Sequence, residues 1–255
     1  MSQPIVSWYE EVNAKDKEVK GTISYGTVDA DTDSGQKTFF IWNNRNSLEN
    51  VSKMEEVTFT TRDRLGGTGD TPGNIVEAVR DNWFQVRVDS LNEDSFTPVG
   101  KGGVGTENES GVKAVGTNGA TINPNAATAS TWATGVAYEV GDYVKPTANN
   151  DYMYKVTTKG TTGGSEPSWS VTEGNVVTDG TVEYTTVKVS KKPATQEILG
   201  LANKVEDDGS NANEAGGNFV KVTVYAEVPV DASAGKNLLV QRVNLGTLLS
   251  AMIIV

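Results

Sequence analysis

One run, Phe219-Val-Lys-Val-Thr-Val-Tyr-Ala-Glu-Val, constrains the fold more than any other part of the chain. β-Branched and aromatic residues alternate through it with a period of two, which suits a strand and not a helix. Phe219, Lys221, Thr223 and Tyr225 fall on one face, and Val220, Val222, Val224 and Ala226 on the other. The valine face reads as core and the opposite face as solvent or partner. Shorter runs of the same kind, bounded by Gly, Asn or Asp, predict strands at 21–28, 37–42, 56–62, 83–89 and 238–243. Helix signals are confined to a short turn at 75–80 and a loose stretch at 194–204, neither with a long apolar stripe. Strands separated by turn signals predict an all-β chain, an Ig-like antiparallel β-sandwich.

Two absences narrow the chemistry. Among 255 residues there is no cysteine and no histidine. That excludes a disulfide frame, a thiolate nucleophile, a Ser-His-Asp triad and imidazole metal ligands. With 22 Lys and Arg against 33 Asp and Glu, the net charge is −11. This disfavours nucleic acid, whose phosphates need clustered cations. Hydrophobic residues make up only 36% while glycines number 27, a leaner core than a compact enzyme carries. The opening Met-Ser-Gln-Pro-Ile-Val has neither a basic nor an apolar stretch, so a chain made without a secretion signal is expected. No membrane partner is expected either, because the most apolar stretch, 248–255, falls far short of the roughly 20 residues that span a bilayer.

Residues 100–129, rich in Gly, Asn, Thr and Ala, read as loop or linker, and 207–217 as a second, exposed polar loop. The stretch between them changes character. Residues 130–188 hold two of the five Trp and five of the eight Tyr, which marks a small inserted β-module. The flanking 1–129 and 189–255 then complete one discontinuous sandwich, since the strong late strands need early partners.

Within the insert, Thr131-Trp-Ala-Thr-Gly-Val-Ala-Tyr-Glu-Val-Gly-Asp-Tyr-Val-Lys-Pro is followed by Tyr152-Met-Tyr-Lys-Val, Gly163-Gly-Ser-Glu-Pro-Ser-Trp and Asp179-Gly-Thr-Val-Glu-Tyr. This string resembles a small β-module common in phage tail and head accessory proteins, itself similar to chitin-binding-type carbohydrate-binding modules. Tyr138, Gly141, Asp142, Val144, Tyr154, Pro167, Trp169, Asp179 and Gly180 carry the match in order, over about a quarter of the chain. The resemblance implies a rigid platform on which sugar rings stack their C–H faces. Trp132, Tyr138, Tyr143, Tyr152, Tyr154 and Trp169 would be its contact residues. The residues themselves leave another reading open: in a module of ~60 residues with few Leu or Ile, the same rings serve as core.

The flanking parts resemble phage virion structural proteins through Thr38-Phe-Phe-Ile-Trp-Asn-Asn, Val51-Ser-Lys-Met and Glu227-Val-Pro-Val-Asp-Ala-Ser-Ala-Gly-Lys. That resemblance carries no catalytic residue and no cofactor. It implies a protein of the virion, assembled in the host cytoplasm and partnered by other virion proteins and by copies of itself. Capsid decoration, with the module meeting cell-surface glycans, is the leading expectation. Neck, collar, tail-tube or baseplate placement is the alternative. A fragment of a carbohydrate-active enzyme is a further one, and it requires two convergent carboxylates in a cleft. Trp42 reads as sandwich core. The apolar 248–255 reads either as a final strand or as an arm that adds a strand to a neighbouring subunit.

Other motifs dissolve on inspection. Gly100-Lys-Gly-Gly-Val-Gly matches a dinucleotide fingerprint by letters, yet it follows no parallel strand, opens no helix and precedes the acidic Thr106-Glu-Asn-Glu. Asp29-Ala-Asp-Thr-Asp-Ser-Gly resembles the start of a calcium loop, with Asp29, Asp31 and Asp33 as ligands. Its glycine comes one place late, and Phe40 stands where the bidentate Glu belongs. A hairpin turn between 21–28 and 37–42 explains the same residues, so no metal is assigned. Glu10/Glu11, Glu55/Glu56 and Asp207/Asp208 are adjacent pairs that point apart or into solvent, not a glycosidase pair. Asn50-Val-Ser and Asn108-Glu-Ser match glycosylation acceptors but have no role without a secretory route.

Overall fold

The computed structural model describes residues 2–101, 111–235, 239–245 and 250–254. The fingerprint string from Gly102 onward, the acidic residues after it and the Asn108 acceptor lie outside these residues, as do 248, 249 and 255 of the apolar tail. The chain is almost entirely β. It forms two compact units, 1–121 with 192–255, and 122–191, where the sequence reading placed the insert at 130–188.

The larger unit is a sandwich of two antiparallel sheets. In the first, strands run in the order Val6–Glu10, Lys37–Asn43, Phe219–Val228, Phe84–Val88, Thr97–Val99. In the second the order is Ser250–Ile254, Leu239–Leu245, Val57–Asp63, Lys113–Ala114. Alternation decides what faces inward. Val220, Val222 and Val224 of the central strand join Phe39, Ile41, Val86 and Val88 from its neighbours, and Val57 and Phe59 of the second sheet close the core. Trp8 spans the gap, with its ring 5.9 Å from Phe39 and 6.0 Å from Phe59. Each such side chain stabilises by ~1.5–3 kcal/mol on leaving water.

The outer face of the central strand is covered as well. Phe219 stacks on Trp42 at 4.5 Å, and Val205, Ala212 and Ala215 close over the pair. Trp42 is thus fully buried, but in this second cluster and not in the main core. Its Nε1 donates to Asn13 Oδ1 at 2.8 Å. The covering loop is 207–217, which therefore departs from the exposed loop expected. Small residues let its backbone close in: Gly209 has φ +76°, and a Cβ there would stand 2.6 Å from the Asn13 carbonyl carbon.

Other expectations need correction. Residues 21–28 form no ladder, because Val6–Glu10 occupies the sheet position beside Lys37–Asn43. Their alternation serves packing instead: Ile23 enters the core and Tyr25 meets Phe84 edge-on at 5.4 Å. Thr32–Asp33 pairs with Val228 and Glu227 and makes no hairpin with 21–28. Residues 194–204 are not helical; Ile198 exchanges backbone hydrogen bonds with Met54 at 2.8 and 3.0 Å, and both side chains are buried. Part of 100–129 is strand, Lys113–Ala114 pairing onto Val57–Asp63. The turn of helix expected at 75–80 is present as Glu77–Arg80. Ser250–Ile254 pairs with Leu239–Leu245 at the sheet edge, the final-strand reading of the tail.

The Asn-Asn after Trp42 fastens the early part of the chain to the late part. Asn43 Nδ2 donates to Ser52 O at 2.9 Å. Asn44 takes φ 61° and spreads its amide over the carbonyls of Glu49, Gly200 and Leu201 at 2.9, 3.1 and 3.1 Å.

The smaller unit holds a five-stranded sheet in the order Ser130–Thr131, Tyr143–Lys145, Tyr152–Thr158, Val182–Lys188, Val176–Asp179. Val144, Tyr154, Val156, Val177, Val182 and Tyr184 form its core, with Tyr138 packed among them. Gly180, at φ +60°, begins the two-residue turn between the last two strands. The ends of this unit lie together, Asn123 N–H donating to Val189 O at 2.8 Å.

Asn44→Gly keeps the left-handed backbone and removes the shared amide. It is expected to cost about 1–3 kcal/mol in urea unfolding, whereas Leu65→Ala, at an 86% exposed position, stays within about 0.5 kcal/mol. A fragment of residues 122–191 is expected to fold alone, read as dispersed amide signals and a cooperative melt.

Candidate functional site

Burial divides the six aromatic candidates. Tyr154 is fully buried and Tyr138 is 8% exposed, so both are core and offer no ring face to a ligand. A unit with so few aliphatic side chains fills its interior with rings. The Tyr154 hydroxyl donates to Ser170 O at 2.6 Å and accepts from Asn150 Nδ2 at 2.7 Å. Burial pushes its pKa up. Tyr184, not singled out in the sequence, is equally buried and its hydroxyl has no partner among the described residues. Burial raises its pKa strongly, and the negative charge of Asp179 adds to the effect. Tyr143 lies on the other face: its neighbour Val144 turns into the core, and Tyr143 sits across from the exposed Lys155.

Trp132 is half-buried and tied at its edge. Its Nε1 donates to Asp179 Oδ2 at 2.7 Å, while Asp179 Oδ1 accepts from Gly163 N–H at 2.8 Å. This fixes Trp132 near the turn where Asp179 faces Val182. Tyr152 faces Lys188 at the far end of the same strand, roughly 20 Å away at ~3.3 Å per residue. Trp132 and Tyr152 therefore do not form one platform.

Tyr152 and Trp169 both pack against the core cluster around Tyr154. Trp169 lies over Tyr154 with centroids 4.2 Å apart and meets Tyr184 edge-on at 5.5 Å. Its Nε1 donates to Glu166 Oε1 at 2.7 Å. The same carboxylate accepts from the Thr147 backbone N–H at 2.9 Å and the Thr147 hydroxyl at 2.5 Å. Tyr152 shares the sheet face of Tyr154, is half-exposed, and carries the Lys188 ammonium 6.0 Å from its ring centroid. Asn150 supports both tyrosines, donating to the Tyr154 hydroxyl and accepting the Tyr152 N–H at 3.1 Å. Two half-exposed rings, one ammonium and a fixed carboxylate thus sit on a hydrogen-bonded frame. Such an arrangement suits a flat, hydroxylated ligand, and its rings are held in place before the ligand arrives.

Glu166, Asn150, Lys188 and Asp179 are the supporting residues that sequence reasoning missed or gave no role. Glu-Pro-Ser-Trp does put a carboxylate three residues before an indole, a signal for the first of them. Asp29, Asp31 and Asp33 are exposed along a turn and a short strand. Among the described residues no group of three or more His, Cys, Asp or Glu is placed to hold a metal, so the structure does not gather them as calcium ligands. The adjacent acidic pairs contribute surface ion pairs instead, such as Lys37–Glu10, Lys53–Glu55 and Lys15–Asp207, which solvent screens. No family model matches the chain, and neither does any curated protein or solved structure.

Burial opposes ionisation of Glu166, but the bonds from Thr147 and Trp169 outweigh it and hold the carboxyl below its ordinary 4.5. A lowered folded pKa stabilises the protein above the unfolded value, and the contribution disappears as pH falls through the folded one. Below pH 4.5, thermal stability is therefore expected to drop more steeply in the native chain than in Glu166→Gln. Parallel pH profiles would remove Glu166 from the frame.

Proposed function

We propose that the chain is a non-enzymatic structural protein of a phage particle, most directly a capsid decoration, whose 122–191 unit contacts cell-surface glycans through Tyr152 and Trp169. The observation that carries the glycan reading is the Trp169 clamp. An indole stacked on Tyr154 and bonded at its edge to Glu166 is a stiff apolar plane with polar groups beside it, which matches a pyranose face and its rim hydroxyls. One such site binds weakly. Many copies on one particle bind well, because later contacts are intramolecular once the first is made.

The state of Glu166 favours contact over cleavage. A glycosidase acid needs a raised pKa and a second carboxyl within about 5–9.5 Å. Glu166 is shifted the opposite way and is engaged by three donors. The placement on a virion rests on the sequence resemblance, the all-β build, and the buried Asn43 and Asn44 that give the Ile-Trp-Asn-Asn string a fastening role.

Beads bearing many copies of the chain are expected to bind a subset of bacterial surface glycans on an array. Trp169→Ala and Tyr152→Ala should each weaken binding about three- to tenfold, as loss of one ring contact implies. Tyr143→Ala should leave it unchanged. Imaging of purified particles with a labelled antibody should place the protein on the head. Absence of array binding would remove the glycan role, and labelling at the neck or tail would move the attachment.

A further inference from the structure

A second concavity lies in the larger unit, on the face of the first sheet turned away from the core. Phe40 and Lys221 form its floor, and it is a depression of about 690 Å³ open to solvent. Segments 89–92, 117–119 and 208–216 wall it. These walls are tied to one another: Asn118 N–H donates to Ser90 O at 3.1 Å, and Thr117 Oγ1 donates to Gly216 O at 3.1 Å. The rim is preformed, so a ligand does not bear the cost of ordering it.

The polar groups around this space have a fixed sense. Asn13 is 8% exposed, and its Oδ1 is taken by Trp42 Nε1. Its Nδ2 must therefore act as a donor, and it has no partner among the described residues. Asn13 lines the groove, and this amide stays open to solvent as a donor. Ser90 Oγ accepts from Lys221 N–H at 2.7 Å, which leaves its hydroxyl hydrogen free to donate. Asp208 Oδ1 accepts from Ser210 N–H at 2.9 Å. That bond and a further one from the Ser210 side chain hold the Asp208 carboxyl below its ordinary value, so it stays an acceptor. Apolar groups supply the larger part of the lining, among them Val12, Ala212, Phe219 and the Phe40 ring, over which the Lys221 ammonium stands at 5.6 Å. A peptide would look for deep aliphatic anchor pockets. Donors and acceptors set around this largely apolar floor match a ring with hydroxyls on its rim and C–H groups on its faces.

We propose that this groove is a saccharide site that takes a neutral mono- or disaccharide, separate from the site at Trp169. It goes beyond the function proposed above: each unit then carries a sugar site of different construction, one built on stacked rings and the other on amide, hydroxyl and carboxylate groups. The full ¹⁵N-labelled chain titrated with cellobiose, lactose and N,N′-diacetylchitobiose tests it. At least one of these is expected to shift the backbone signals of 89–92, 117–119 and 208–216 in a saturable way. Trp169→Ala should leave those shifts intact. Asn118→Trp fills the mouth from an exposed position whose side chain makes no hydrogen bond among the described residues, and it should weaken binding about tenfold, a loss of ~1.4 kcal/mol. Shifts confined to the surroundings of Tyr152 and Trp169 would overturn the groove and leave the proposed function standing. No shift with any of the three sugars, or loop shifts that persist in Asn118→Trp, would also overturn it.

Discussion

A strand covered on both faces governs the larger unit. Val220, Val222 and Val224 demand one apolar layer, and Phe219 with the buried Thr223 demands another. Thr223 meets the second demand with polar partners, sharing a hydrogen bond with Thr38 at 3.1 Å and donating to Asp89 at 2.6 Å. The remaining architecture follows from serving these two faces. The second sheet closes the valine side, and the 207–217 loop closes the Phe219 end. Between that loop and the exposed end of the strand the covering stops, and the groove floored by Phe40 and Lys221 is what remains.

The smaller unit is governed by a different constraint, scarcity of aliphatic side chains. Its rings have to be both filling and edge, so the sorting between them is done by hydrogen bonds. Two indoles are held by two carboxylates, Trp132 by Asp179 and Trp169 by Glu166. Asp179 is buried, so its bonds to Trp132 and Gly163 serve the fold. Glu166 is more open and fixes a ring that keeps part of its surface outward. The same chemical pair therefore fastens a buried carboxylate in one place and holds a half-exposed ring in the other.

Much of this was legible in the sequence, and the limits have physical causes. Period-two alternation located the strands at 37–42, 56–62, 83–89 and 219–228, because burial on one face writes that pattern directly. It also misled at 21–28, where Ile23 and Tyr25 alternate into the core with no ladder; alternation reports burial, and pairing is a separate matter. Val6–Glu10 escaped notice because Ser7 and Glu10 break its short apolar run and its signal sits in Trp8 and Tyr9, which face opposite clusters. At the candidate site, residue type alone could not separate Tyr154 from Tyr152. They share a sheet face, and only the position of Trp169 over one of them decides which is sealed. The groove in the larger unit was beyond sequence reading altogether, since its walls come from three loops far apart along the chain.

The neighbouring ends of the 122–191 unit bear on how the molecule is made. On a ribosome, Lys37–Asn43 and Phe84–Val88 emerge long before Phe219–Val228, which must slot between them. Until then both present unpaired edges, an invitation to mispairing. An insert that matures early pinches the waiting chain at Asn123 and Val189 and roughly halves the span between Phe84–Val88 and the late strand. Each halving lowers the entropic barrier by about 0.6 kcal/mol. The 122–191 unit thus acts as an internal clip that helps the rest of the chain find its middle.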